Sequence, residues 1–119
     1  MAIAVKRKLS NSTNGKGIKV VATATSGTLI HTAVTGTTDG SYDEIWLYAY
    51  NGHTANVDLT IEFGGATVPD NTIVQTIPYK QGLFLVVSGL ILQNSLEVRA
   101  FASVANVVTI SGFVNRMTD

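Results

Sequence analysis

From residue 42 to residue 64 the chain reads YDEIWLYAYNGHTANVDLTIEFG, and apolar and polar positions alternate through most of it. Val57, Leu59, Ile61 and Phe63 fall on one parity, with Asp58, Thr60 and Glu62 on the other. A period of two marks a strand with one face in a core and the other toward water. Just before it, Ile45, Leu47 and Ala49 alternate with Trp46, Tyr48 and Tyr50. Asn51-Gly52 and the polar residues up to Asn56 separate the two runs, so the pattern predicts a hairpin with a loop of moderate length. Its core face would hold Ile45, Leu47, Val57, Leu59, Ile61 and Phe63. Burying those side chains contributes on the order of 10 kcal/mol before chain entropy is subtracted.

The rest of the chain reads the same way. Residues 18–25 and 28–34 are rich in β-branched residues and bounded by Ser26-Gly27 and Gly36, which predicts two strands. Residues 72–77 form a short strand closed by Pro78, whose missing N–H places that end at a sheet edge or terminus. A fully apolar strand covers 83–87 and is interrupted by Ser88-Gly89 before 90–92; strands at 96–102 and 106–115 follow. No long window carries a helical period. About eight short strands with regularly spaced turns predict an all-β fold, a single antiparallel β-sandwich of jelly-roll-like architecture over residues 18–119. Residues 1–17 end in the polar run NSTNGKG and predict a flexible N-terminal arm.

At 119 residues the chain is long enough for one domain with a real core and too short for two. Charged residues make up 13%, about half the usual share, while hydrophobic residues make up 45%. A lone subunit so poor in charge would expose much neutral or apolar surface, so a homo-oligomer, trimer or dimer, is the expected state. The formal net charge is zero, which argues against a nucleic-acid partner. Charge is nevertheless uneven: Lys6, Arg7, Lys8, Lys16 and Lys19 meet no acidic residue before Asp39. Lys6, Arg7 and Lys8 are therefore candidates for a docking arm that meets an acidic neighbour, against the plainer reading of a solvated tail. There is no cysteine, hence no disulfide framework. The start lacks a signal-peptide pattern and the longest apolar run is too short to span a bilayer, so synthesis in the cytoplasm without a membrane partner is expected.

Candidate chemistry is sparse. Two isolated histidines, His31 and His53, do not supply the three or four converging ligands of a zinc site, and no metal or other cofactor is expected. Asp43-Glu44 could pair with Asp58 or Glu62 as acid and base, but carboxylates on the outer faces of strands usually only solubilise, and a non-enzymatic role is expected. The row Trp46, Tyr48, Tyr50 is the stronger candidate. It projects opposite the aliphatic parity, where a bare aromatic stripe is costly and calls for a cover. That cover is another segment of the chain, a neighbouring subunit, or a planar sugar ring.

In the second half, Thr76-Ile77-Pro78, Gly82-Leu83, Ser88-Gly89-Leu90-Ile91-Leu92, Leu96-Glu97-Val98-Arg99-Ala100 and Val108-Thr109-Ile110-Ser111-Gly112-Phe113-Val114-Asn115-Arg116 form a recurring series. With Asp43 to Asn51 and Val57 to Gly65, residues 42–116 resemble small virion proteins of tailed bacteriophages, in particular capsid decoration (cement) proteins and related head or tail accessory proteins. The resemblance is one of strands and turns. It implies a small β-sandwich, made in the host cytoplasm and located in the virion, that binds the major capsid protein or another virion protein. The competing expectation is a tail- or fibre-associated carbohydrate- or receptor-binding module that uses Trp46, Tyr48 and Tyr50.

Overall fold

The computed structural model describes residues 3–119, as nine strands without a helix. They are β1 (Ile3–Lys8), β2 (Ile18–Lys19), β3 (Thr28–Thr32), β4 (Tyr42–Asn51), β5 (Val57–Phe63), β6 (Thr72–Ile77), β7 (Phe84–Leu92), β8 (Glu97–Ala102) and β9 (Val108–Thr118). Sheet 1 has the order β1-β9-β4-β7, with β2 also on β9; sheet 2 has the order β3-β8-β5-β6. All pairings are antiparallel. If β1 and β2 count as one interrupted strand, the chain changes sheet at every connection except β5–β6. That is the strand order of an eight-stranded jelly roll, so the expected β-sandwich is the observed fold.

The core lies between the two inner faces. On β4 every second residue from Asp43 to Asn51 is buried, and on β5 Val57, Leu59 and Ile61 are buried opposite them. Five of the side chains assigned to the core from the alternation (Ile45, Leu47, Val57, Leu59 and Ile61) are inaccessible to solvent or nearly so, and Phe63 is half-buried against them.

The predicted hairpin is not formed. β4 lies in sheet 1 and β5 in sheet 2, and residues 52–56 arch from one sheet to the other. The Asn51 side chain closes the arch, donating to the carbonyls of Ala55 (3.0 Å) and Ile77 (2.8 Å) while accepting the His53 N–H. The two apolar faces therefore meet across the core instead of side by side. The true hairpin in this region is β5–β6. Ser88-Gly89 does not end a strand either: β7 runs through it with a bulge at Gly89.

The N-terminal segment also departs from expectation. Met1 and Ala2 lie outside the described residues, but from Ile3 onward the supposed arm belongs to the sandwich. β1 pairs with β9 from Ile3–Thr118 to Lys8–Phe113, and β2 resumes on the same strand at Ile18–Ile110. Between them residues 9–17 leave sheet 1 and bind sheet 2. Asn11 donates its N–H to the Ile30 carbonyl and its side-chain amide to the Leu29 carbonyl, and the Ser10 hydroxyl accepts the Thr32 N–H. Leu9, only 1% exposed, enters the core. The polar run forms a compact turn, with the Ser12 hydroxyl donating to the Lys16 carbonyl at 2.7 Å. One buried leucine and a set of backbone pairings thus order a segment whose composition alone reads as a linker.

Candidate functional site

The outer face of sheet 1 brings the aromatic row of β4 together with Lys6, which lies about forty positions earlier in the sequence. On β4 the parity that avoids the core holds Tyr42, Glu44, Trp46, Tyr48 and Tyr50, all half-buried. Register carries this face onto β9, where Trp46 lies opposite Phe113, Tyr48 opposite Ser111 and Tyr50 opposite Thr109. The Trp46 and Phe113 rings stack with centroids 6.2 Å apart and planes 12° from parallel. Lys6, on the neighbouring β1, sets its Nζ 4.3 Å from the centre of the Phe113 ring, a cation–π contact.

Lys6, Phe113 and Trp46 thus form a continuous line across three strands. The other two cations behave differently. Lys8 donates to the Ser12 carbonyl at 3.2 Å and so helps hold the 9–17 excursion. Arg7 pairs in register with the buried Val114, on the opposite face from Lys6.

Trp46 is held from several sides. Its Nε1 donates to Glu44 Oε1 at 2.8 Å, and Asn115 Nδ2 donates to the same oxygen at 3.0 Å. The hydrogen bond from Trp46, and then that from Asn115, keep the Glu44 carboxyl below its ordinary pKa. Two glycines on the flanking strands make room. A Cβ at Gly112 would collide with the Trp46 carbonyl oxygen, and one at Gly89 would lie 3.0 Å from the indole ring, at a backbone φ of +76° that side chains rarely adopt. The result is a fixed aromatic platform, edged by an ionised carboxylate, an amide and an ammonium. It can stack on a planar or apolar group and hydrogen-bond around it.

A second constellation lies at the end of the core and was missed from the sequence. Asp43 is fully buried; it accepts Arg116 Nε at 2.7 Å and Nη2 at 2.9 Å, His31 Nε2 at 2.6 Å and the Val34 N–H at 3.2 Å. His31 Nδ1 accepts the N–H of Ser10 at 2.9 Å, which places the imidazole proton on Nε2, toward Asp43. Burial by itself raises the Asp43 pKa, but the hydrogen bonds and charge of Arg116, with the hydrogen bond from His31, outweigh it and bring it to about 2. The same pairing raises Arg116.

The network joins β4 and β9 of sheet 1 to β3 of sheet 2 and to the excursion, and every polar atom in it has a partner. Its arrangement is that of a structural clasp. The signal was in the sequence: Asp43 shares the parity of Ile45, Leu47 and Ala49, so extending the alternation one step would have placed it inside.

Glu62 was expected on a solvent face and is instead 2% exposed. Its two oxygens accept the Thr25 hydroxyl at 2.8 Å and the Gly27 N–H at 2.7 Å, so the β2–β3 loop covers it. Beside it an open cavity of about 340 Å³ is lined by Glu62, Glu97, Arg99 and Leu96, with Arg99 bound to Glu97 and to the Gly27 carbonyl. Asp58 is occupied with the Thr76 hydroxyl. The carboxylates considered as an acid–base pair are thus engaged separately. No protein-family model, curated protein or solved structure matches the chain.

Proposed function

We propose that this protein is a non-enzymatic virion structural protein that decorates or cements a tailed-phage capsid. It would dock on the major capsid protein, or another virion protein, through the outer face of sheet 1. The observation that carries the reading is the line Lys6–Phe113–Trp46, continued by Tyr48 and Tyr50. The aromatic row and one cation of the proposed docking arm lie side by side on one fixed face, with the aromatic–cation composition of an interface centre. The likeness of residues 42–116 to decoration proteins supports the same reading, and the jelly roll is compatible with it as fold-level analogy only.

The test is Trp46→Ala in purified particles that carry the protein, with retention measured by co-sedimentation. Loss of about 2 kcal/mol of association, close to 30-fold in affinity, is expected, with the fold intact by circular dichroism. Unchanged retention would overturn the proposal. Mass-spectrometric copy number in the same particles separates placement on the shell from placement on the tail.

A second reading has its own observation. Trp46 edged by Glu44 and Asn115 has the form of a sugar platform, an aromatic face flanked by hydrogen-bonding groups. It makes the protein a tail- or fibre-associated carbohydrate- or receptor-binding module. In that case Trp46→Ala abolishes binding on a glycan array while particle retention survives.

A further inference from the structure

The two flanks of the sandwich are finished in different ways. On one flank the edge strand β1 carries Lys6, Arg7 and Lys8, and residues 9–17 cross to β3. The other flank ends in β7, whose second edge pairs with no strand among the described residues. Residues 82–92 contain no charged residue and no proline. Charge and proline are the usual means of keeping a sheet edge from adding strands, and β7 has only its bulges. Leu83, Leu85, Leu90 and Ile91 are all exposed there, Leu83 by 61% and Ile91 by 57%. A row of unpaired backbone N–H and C=O groups calls for another strand, and an uncharged apolar border selects a strand of like composition.

We infer that β7 is the self-association edge of this protein and that its occupant is β7 of a second copy, paired antiparallel about a two-fold axis at Ser88. The faces match in that register. Leu85 and Ile91 lie opposite Tyr48 and Glu44, so both belong to the outer face, and the axis sets Leu85 against Ile91 of the second copy. Phe84 and Leu92, opposite Ala49 and Asp43, belong to the inner face and also meet each other. Ser88 meets itself, and Val87 faces Gly89, which has no side chain to clash.

The area is sufficient. The nine residues of β7 span about 30 Å, and the molecule is 20 Å across its shortest axis, so the flank offers about 600 Å² per copy. A pair would bury about 1,200 Å², the lower end of stable interfaces. Sheet 1 then continues through both subunits, and the two aromatic rows share one face about 14 Å apart, three strand spacings. A docking face of that kind is bivalent.

The experiment uses the full chain in sedimentation velocity at micromolar concentration. The wild type is expected as a dimer, and the double variant Leu85→Lys/Ile91→Lys as a folded species of half that mass, 12.6 kDa. Val5→Lys, on the edge strand β1 of the opposite flank, should leave the dimer intact. Because the chain has no cysteine, Ser88→Cys gives a second readout that does not depend on the charged variants folding. Under mild oxidation it should convert to a covalent dimer, since residues directly opposite across the axis lie within disulfide range. A monomeric wild type, a dimer that survives Leu85→Lys/Ile91→Lys, or a Ser88→Cys variant that stays monomeric under oxidation would each overturn the inference. Trp46→Ala should not dissociate the dimer. If it does while Ser88→Cys fails to cross-link, self-association runs through the aromatic face and the edge has no part in it. Loss of particle retention with the dimer intact bears only on the docking proposal.

Discussion

Replacing Asp43 by Asn keeps the side-chain shape and removes the charge on which the clasp is built. In the native protein the carboxylate is fully buried and accepts four hydrogen bonds, two of them from Arg116. The amide offers one acceptor and presents an NH2 group to donors that already point at it. Breaking a buried ion pair from one side costs about 3–5 kcal/mol, because the remaining charge is left uncompensated. The Arg116 side chain is 24% exposed and can recover some hydration, so a loss of about 3 kcal/mol is expected in urea unfolding at neutral pH.

A signature in pH follows. The folded pKa of Asp43, about 2, lies below its ordinary value of 3.8, so the stabilisation is complete above the ordinary value. It is lost as pH falls from about 4 toward 2, by about 2 kcal/mol over that window. Urea midpoints measured from pH 7 down to pH 2 should show this limb in the wild type and not in Asp43→Asn. Glu44→Gln, which removes a second lowered but solvent-facing carboxyl, should retain most of it. A cost below about 1 kcal/mol, or an acid limb that persists in the Asn variant, would refute the assignment of the clasp to Asp43.

Three further outcomes are expected. Leu9→Ala should cost about 2–5 kcal/mol in denaturant unfolding, because it empties a core position; a value near zero would return residues 9–17 to the status of a loose linker. Gly112→Ala should abolish soluble expression or sharply lower the melting temperature, since its Cβ collides with backbone that cannot move away. Leu59→Asp should prevent folding, while Thr60→Asp, one residue along and on the opposite face, should melt near the wild type; equal behaviour of the two by circular dichroism would contradict the assigned faces.

How much of this was legible in the sequence depends on what alternation encodes. It fixes which residues of a strand face inward, and the burial of Ile45, Leu47, Val57, Leu59 and Ile61 follows from it. It carries nothing about the partner, because a strand beside its neighbour and a strand facing it across a core have the same pattern. That is why β4 and β5 read as a hairpin although they face each other from opposite sheets. Composition misled in the other direction at residues 9–17, where Leu9 was one apolar residue among polar ones and its partners lie far along the chain. At Asp43 and Glu62 the assumption that carboxylates face solvent overrode the burial, and only the three-dimensional positions of Arg116, His31 and Gly27 show how those charges are satisfied. The aromatic row was found from parity alone, but its junction with Lys6 required the β1–β9–β4 register.

The position of β9 has a consequence for how the molecule is made. It lies inside sheet 1, between β1 and β4, yet it is the last of the nine strands to be synthesised. Until residues 108–118 have emerged, β1 and β2 have no strand to pair with, β4 lacks one of its two neighbours, and Arg116 cannot reach Asp43. The nascent chain therefore has no stable half to rest in, and the loop joining its first strand to its last must close before those pairings form. Folding should be slow and cooperative, and the free edge of β7 would stand beside an unfinished sheet throughout that wait.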